Sequence, residues 1–183
     1  ARGRRIGEAD VVIACLPDDA ARETAALADA AGTRVIDAST AHRTDPAWVY
    51  GLAELASGQR EAIAGAHRVA NPGCYATGFL LLVAPLVRAG VLRPDAALKV
   101  HALSGYSGGG RALIERHEGA SDPQALAARP YALGLDHKHL PEMRVHAGLE
   151  RAPLFCPTVG HYRQGMLVEV PLFADELEGP ARA

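Results

Sequence analysis

Val11-Val12-Ile13-Ala14-Cys15-Leu16 is an unbroken apolar run, and together with the break after it this run constrains the fold more than any other feature. The run has strand length, and a strand without polar alternation is the pattern of one covered on both faces, as in parallel sheets. Pro17-Asp18-Asp19 breaks it and offers a helix cap. Ala20 to Ala31 is Ala-rich and stops at Gly32, a residue suited to closing a helix. Arg34-Val35-Ile36-Asp37 is a second short apolar strand, and Arg68-Val69-Ala70 a third. Strand, helix and strand with short links form a βαβ unit, so the sheet is expected to be parallel with a right-handed crossover.

After Asn71 the character changes. The pattern predicts a long helix from Gly73 to about Ala89, bent at Pro85 and ended by Gly90. Leu98 to Leu103 reads as a strand, Arg111 to His117 as a helix, and Pro141 to Leu149 as a helix with proline at its start. Leu154 to Val159 and Met166 to Phe173 read as strands, the last partly alternating. This half is expected to be an antiparallel or mixed sheet with helices on one face. The fold class is therefore α/β, with a partial parallel sheet over residues 1–71 and an α+β domain over 72–183.

Composition narrows the function. The net charge of -2 carries no long run of one sign, which argues against a nucleic-acid surface. The longest apolar run, Phe79 to Pro85, is too short to span a bilayer. Three widely spaced cysteines argue against a disulfide framework and suit a reducing cytoplasm; none has a zinc-ligand spacing. The chain opens on Ala1 without a secretory pattern and stops just after an apolar strand, so both ends are expected to lie inside a longer protein.

Asn71-Pro72-Gly73-Cys74 is a helix start with a thiol in it. With Asn71 as N-cap and Pro72 first, Cys74 is expected at about the third helical position. There unpaired N–H groups and the positive end of the helix dipole favour a thiolate over the free thiol, whose ordinary pKa is ~8.5. Cys15 and Cys156, within or beside strands, read as core packing. A thiol nucleophile needs a proton partner. His137-Lys138-His139-Leu140-Pro141-Glu142 offers one, because His137 and His139 face the same way in extended backbone. Glu142 would lie in the first turn of a helix, where satisfying the dipole is an equally good account of it. The other six histidines read as surface or packing residues. The loop Ser104-Gly105-Tyr106-Ser107-Gly108-Gly109-Gly110 joins a strand to a helix, and its amides with Arg111 could hold an anion, although such turns are more often structural. It lacks the Lys-Ser/Thr ending of a nucleotide P-loop. Asp37 to Arg43 leaves the carboxyl end of the second strand, where ligands of parallel sheets bind; Arg43 there is a phosphate contact or a salt-bridge partner.

These strings in this order, with Pro157-Thr158-Val159-Gly160 and Cys15-Leu16-Pro17-Asp18-Asp19, resemble the shorter variant of N-acetyl-gamma-glutamyl-phosphate reductase of arginine biosynthesis over essentially the whole chain. The resemblance implies an incomplete Rossmann-type sheet followed by a catalytic domain of the semialdehyde dehydrogenase type. It implies NADPH-dependent reduction of N-acetyl-glutamyl 5-phosphate to the 5-semialdehyde through a thioester on Cys74. His139, or His137 in second place, would be the acid/base. Arg43, Ser104, Gly105, Arg111 and Glu142 would contact substrate or phosphate, and Pro17, Ser39 and Gly108 the cofactor. It further implies no metal, a cytoplasmic location and assembly as a homo-oligomer, dimer or tetramer, when complete. The family's opening strand and Gly-rich pyrophosphate loop are not in this sequence, so little reductase activity is expected of these 183 residues alone. The competing readings are an aspartate-semialdehyde dehydrogenase-like acyl-phosphate reductase, a thiol hydrolase needing no nicotinamide, and an inactive fragment.

Overall fold

The computed structural model describes residues 2–119 and 127–178. It forms two compact units, Ala1–Thr77 and Gly78–Ala183, which divide within a helix.

The first unit begins with a short helix, α1 (Arg2–Gly7), then β1 (Val11–Ala14), α2 (Asp18–Ala31), β2 (Arg34–Asp37), β3 (Val49–Tyr50), α3 (Gln59–Gly65) and β4 (Arg68–Ala70). The strands lie in the order β1-β2-β4-β3 and every pairing is parallel, as the βαβ pattern requires. Gly32 adopts φ 69° and its N–H bonds to Asp29 O, the left-handed close of α2 that any Cβ would strain. Ala14, Ala25, Ala28, Val35, Trp48 and Ala70 bury together as the core. Small residues on α2 let the helix sit close to the sheet. One expectation fails at β1. Val12 and Ala14 turn toward the core, but Val11 and Ile13 remain 46% and 65% exposed. Strand β1 is the edge of the sheet these residues form, and nothing among the described residues covers the face that carries Val11 and Ile13. Cys15 at its end is likewise exposed rather than core.

Helix α4 (Cys74–Arg88) buries Tyr75, Ala76, Phe79, Leu80, Val83 and Ala84, a stripe at spacings of three and four. The second unit continues with β5 (Lys99–Gly105), α5 (Arg111–Glu118), β6 (Arg129–Pro130), α6 (Leu140–Ala147), β7 (Leu154–Gly160) and β8 (Met166–Glu169). Its sheet runs β6-β7-β5-β8 and is mixed: β5 pairs parallel with β7, and the outer strands are antiparallel. Val100, Ala102, Phe155 and Pro157 bury on one face. Gly78 of α4 lies so close to β8 that a Cβ would meet Val168 at 2.8 Å. Strand β8 ends at Glu169, short of the expected Phe173, which is 70% exposed. Among the described residues no helix is long and apolar enough to cross a membrane.

Candidate active site

In the first unit the chemistry gathers beyond the carboxyl ends of β1 and β2. Two carboxylates hold the Ser39-Thr40 turn from opposite sides. Asp37, buried at the end of β2, accepts both the N–H (2.9 Å) and the hydroxyl (2.7 Å) of Ser39. Asp18, at the start of α2, accepts the N–H (3.0 Å) and the hydroxyl (2.6 Å) of Thr40. The Ser39 hydroxyl also accepts the Ala41 N–H at 3.1 Å. Asp37 takes a third partner, the His42 Nδ1–H at 2.7 Å, and the His42 ring stacks on Trp48 with centroids 4.0 Å apart. Arg43 is only 8% exposed and donates from a terminal nitrogen to Ala38 O at 2.9 Å. The turn is thus a rigid platform. The sequence pattern does not reveal the Asp37–His42–Trp48 set, and it leaves His42 among the packing residues. An aspartate and a histidine five positions apart around a strand end are the one signal that could have found it.

The Thr40 hydroxyl is the main reason that Asp18 is held below its ordinary carboxyl range, helped by the positive charges of Arg22 and Arg43. A carboxylate with a depressed folded pKa stabilises above its unfolded value and loses that contribution as pH falls through the folded one. Thr40→Val keeps the shape and removes the hydroxyl donor. The Asp18 titration is therefore expected to rise toward 3.8, read by carboxyl NMR, with acid unfolding beginning at higher pH.

Asn71 donates its backbone N–H to Asp37 O at 2.7 Å, prolonging the β2–β4 ladder by one residue. That bond holds Asn71 extended, so Pro72 and Gly73 make the turn. Gly73 O accepts the first helical N–H, that of Thr77, at 2.8 Å. The helix consequently opens at Cys74 itself, two positions earlier in its count than expected, and Asn71 is not the cap. Cys74 remains in the first turn, exposed, among amides without intrahelical acceptors.

In the second unit several amides of the glycine loop are engaged by the protein itself. Gly105, Tyr106 and Ser107 donate their N–H groups to Gly165, Tyr162 and Arg163 carbonyls at 2.9–3.0 Å, and Gly110 donates to Ser107 O. A Cβ on Gly105 would lie 2.7 Å from the backbone of Arg163 and Gln164. At Gly105 the 162–165 turn presses on the backbone, Gly109 lies against the Leu113 side chain, and Gly110 takes φ 77°, so these three glycines are each required for a different reason. Ser104 belongs to β5, paired with Val159 and Met166. Gly108 lies in a 3₁₀ turn, and Arg111 is exposed and bonds Glu115 at 2.7 Å.

His137 and His139 do meet, with ring centroids 4.7 Å apart and planes at 79°. They meet through a turn rather than an extended strand: His139 is helical at the N-cap of α6, and its N–H donates to His137 Nδ1 at 3.1 Å. That bond leaves Nδ1 of His137 as the unprotonated nitrogen. His137 is pulled below the usual histidine pKa by burial first and by Lys138 next, against the opposing charge of Asp136. His139 and Glu142 are buried, at 4% and 1% exposure. Among the described residues no group of three or more His, Cys, Asp or Glu could hold a metal.

A parallel α/β unit whose last strand turns into a thiol-bearing helix, followed by a mixed-sheet unit with paired histidines, is the two-domain arrangement of a dinucleotide-binding dehydrogenase fold. The chain belongs to the semialdehyde dehydrogenase family: residues 2–66 match that family's NAD binding domain and residues 74–180 its dimerisation domain. It is 55% identical over 174 residues to an N-acetyl-gamma-glutamyl-phosphate reductase of Brucella ovis, covering 93% of this chain and 56% of that one. It is 53% identical over 182 residues to N-acetyl-gamma-glutamyl-phosphate reductase 2 of Pseudomonas putida, covering 100% of this chain and 58% of that one. The chain thus spans a little over half the length of these curated relatives. Among solved structures, aspartate semialdehyde dehydrogenase II of Vibrio cholerae superposes with TM-score 0.69 at 18% identity, over 90% of this chain and 56% of that one. The Candida albicans aspartate semialdehyde dehydrogenase solved with NADP gives 0.61 at 16%, over 96% and 53%. At those identities the likeness is one of fold.

The first unit offers a dinucleotide part of a site. Pro17 and Ser39 stand at the carboxyl ends of β1 and β2, where such ligands lie. The α2 start carries Asp18 and Asp19 in its first turn, and their negative charge disfavours a pyrophosphate at that helix end.

Proposed function

We propose that these residues serve the NADPH-dependent reduction of N-acetyl-glutamyl 5-phosphate to N-acetyl-glutamate 5-semialdehyde, in the cytoplasm, as a step of arginine biosynthesis. The observation that carries the reading is the exposed Cys74 at a helix start, in a chain 55% identical to reductases of that name. The Cys74 thiolate attacks the acyl carbon, the C–O bond to phosphate breaks, and inorganic phosphate leaves with the bonding pair, giving a thioester. The bound nicotinamide supplies the hydride. His139, with His137 in second place, takes the thiol proton and manages the proton on the hemithioacetal oxygen before that adduct collapses to aldehyde and thiolate. Arg43, Ser104, Gly105, Arg111 and Glu142 are the proposed contacts for substrate and phosphate, and Pro17, Ser39 and Gly108 those for the cofactor. The proposed division remains a cofactor domain over 1–71 and a catalytic and dimerisation domain over 72–183. The match to a dimerisation domain supports a homo-oligomer, with sedimentation velocity as its check.

The acylation half-reaction needs no cofactor, so the purified chain can be tested directly. Mixed with N-acetyl-glutamyl 5-phosphate, it is expected to release phosphate and carry an acyl group on Cys74, seen by peptide mass spectrometry and absent in Cys74→Ser. Aspartyl phosphate is expected to acylate it at least tenfold more slowly, on the order of the discrimination a pocket built for one acyl group achieves. Equal acylation of exposed Cys15, or none at Cys74, would sink the reading. A second check is alkylation: iodoacetamide at pH 6.5 is expected to modify Cys74 about tenfold faster than Cys15, which is exposed but follows a strand.

A further inference from the structure

His117 and His161 stand outside the proposed chemistry, yet with Tyr106 they form a packed titratable cluster in the second unit. His117, near the end of α5, is 7% exposed; His161 follows β7 and opens to solvent. Their Nδ1 atoms are 3.2 Å apart. The rings are nearly parallel, at 18°, with centroids 5.5 Å apart. The centroids are thus farther apart than the nitrogens by about two ring radii, so the rings meet end to end along the N···N line. That is the geometry of one N–H···N hydrogen bond. A metal about 2.0–2.1 Å from each nitrogen would sit off that line, and Arg116 and Arg129 lie close enough to oppose a cation.

Around this pair the turn 161–165 is pinned to the glycine loop. Tyr106 stacks on His117 at 4.7 Å and on His161 at 6.1 Å. Arg163 bonds Glu118 at 2.9 Å, and the Tyr106 hydroxyl approaches the same carboxylate oxygen at 3.5 Å. Tyr106 and Ser107 in turn donate to Tyr162 and Arg163 carbonyls.

We infer that His117 and His161 form a proton-operated latch, which holds the 161–165 turn against the 104–110 loop while one Nδ1 proton is shared and releases it when both imidazoles are protonated. Two neutral rings can share one Nδ1–H, and so can one neutral and one charged ring. Two charged rings have two donors, no acceptor and like charge at 3.2 Å. The first proton therefore leaves the latch shut and the second opens it, as two macroscopic steps belonging to the pair. Burial first, then the charges of His161, Arg116 and Arg129, hold His117 below its ordinary value of 6.5. A histidine held neutral by the fold stabilises above its unfolded pKa. That contribution is lost as pH falls from 6.5 through the folded value. Glu118 with Arg163, and the Tyr106 ring, are the other groups facing the pair.

The test uses the chain as it stands and is independent of any reductase activity. Imidazole NMR is expected to show two of the eight histidines titrating as a coupled pair. Amide exchange at Tyr106 and Ser107, corrected for its intrinsic pH dependence, is expected to rise about tenfold across the second step while Val100 in β5 stays protected. In His161→Asn the amide oxygen accepts the His117 Nδ1–H at every pH, so the neutral-pH protection should persist and the acid step vanish. Glu118→Gln removes the neighbouring carboxylate titration and should leave the step in place. Independent single-site titrations, a step that survives in His161→Asn, or one lost in Glu118→Gln would each overturn the latch.

Discussion

Asp37→Ala is expected to lower the stability of the first unit by about 3–5 kcal/mol, the range for breaking a buried, fully hydrogen-bonded charge cluster. Its carboxylate is 1% exposed and takes the Ser39 N–H, the Ser39 hydroxyl and the His42 Nδ1–H. Alanine leaves those three donors without their acceptor in a place water does not reach. A unit of this size has only about 5–15 kcal/mol in all, so the loss is a large fraction. Urea unfolding followed at Trp48, which stacks on His42, reads the effect directly. Asp37→Asn should cost less, because one oxygen still accepts. A midpoint within error of the parent in Asp37→Ala would mean that the platform is not held this way.

Gly105→Ala is expected to cost about 3 kcal/mol, the upper part of the range for overpacking. Gly105 has an ordinary extended φ of -68°, so conformational freedom is not what the position needs. What it needs is room. The added Cβ would lie 2.7 Å from Arg163 C and O and from Gln164 N, and backbone atoms cannot swing aside as a flexible side chain does. The 162–165 turn must then lift, losing the bonds from Gly105, Tyr106 and Ser107 together. Thermal unfolding of the chain should show the loss, and amide exchange at those three residues should rise with it. Gly108→Ala is the control, since nothing lies within 4 Å of its Cβ position.

Much of this is legible in the sequence because it is local. The order of strands and helices in the βαβ unit follows from apolar runs and their breaks, and the pattern leaves only β3, α3 and the short flanking elements unseen. The features that differ from expectation depend on neighbours. Val11 and Ile13 carry the same side chains whether or not another element lies over them. Which element lies over a face is not written in the run. The Cys74 count shifts because Asn71 N–H finds Asp37 O, thirty-four positions away in the chain. His137 and His139 come together as expected, but a turn rather than strand alternation brings them there.

By itself, then, the sequence determined the parallel unit and the thiol at a helix start, since the pattern along one segment settles each, and it marked the two histidines as neighbours without the turn that joins them. Only the tertiary structure decided that the glycine loop holds a protein turn, that Asp37 and Asp18 clamp the Ser39-Thr40 platform, and that His117 and His161 share a proton. Asp37 finds Ser39 and His42 nearby in the chain, but the Asp18–Thr40, His117–His161 and Gly105–Gly165 bonds each join a polar group to a partner far along it. Burial makes such partnerships obligatory, yet no local pattern announces which partner is chosen.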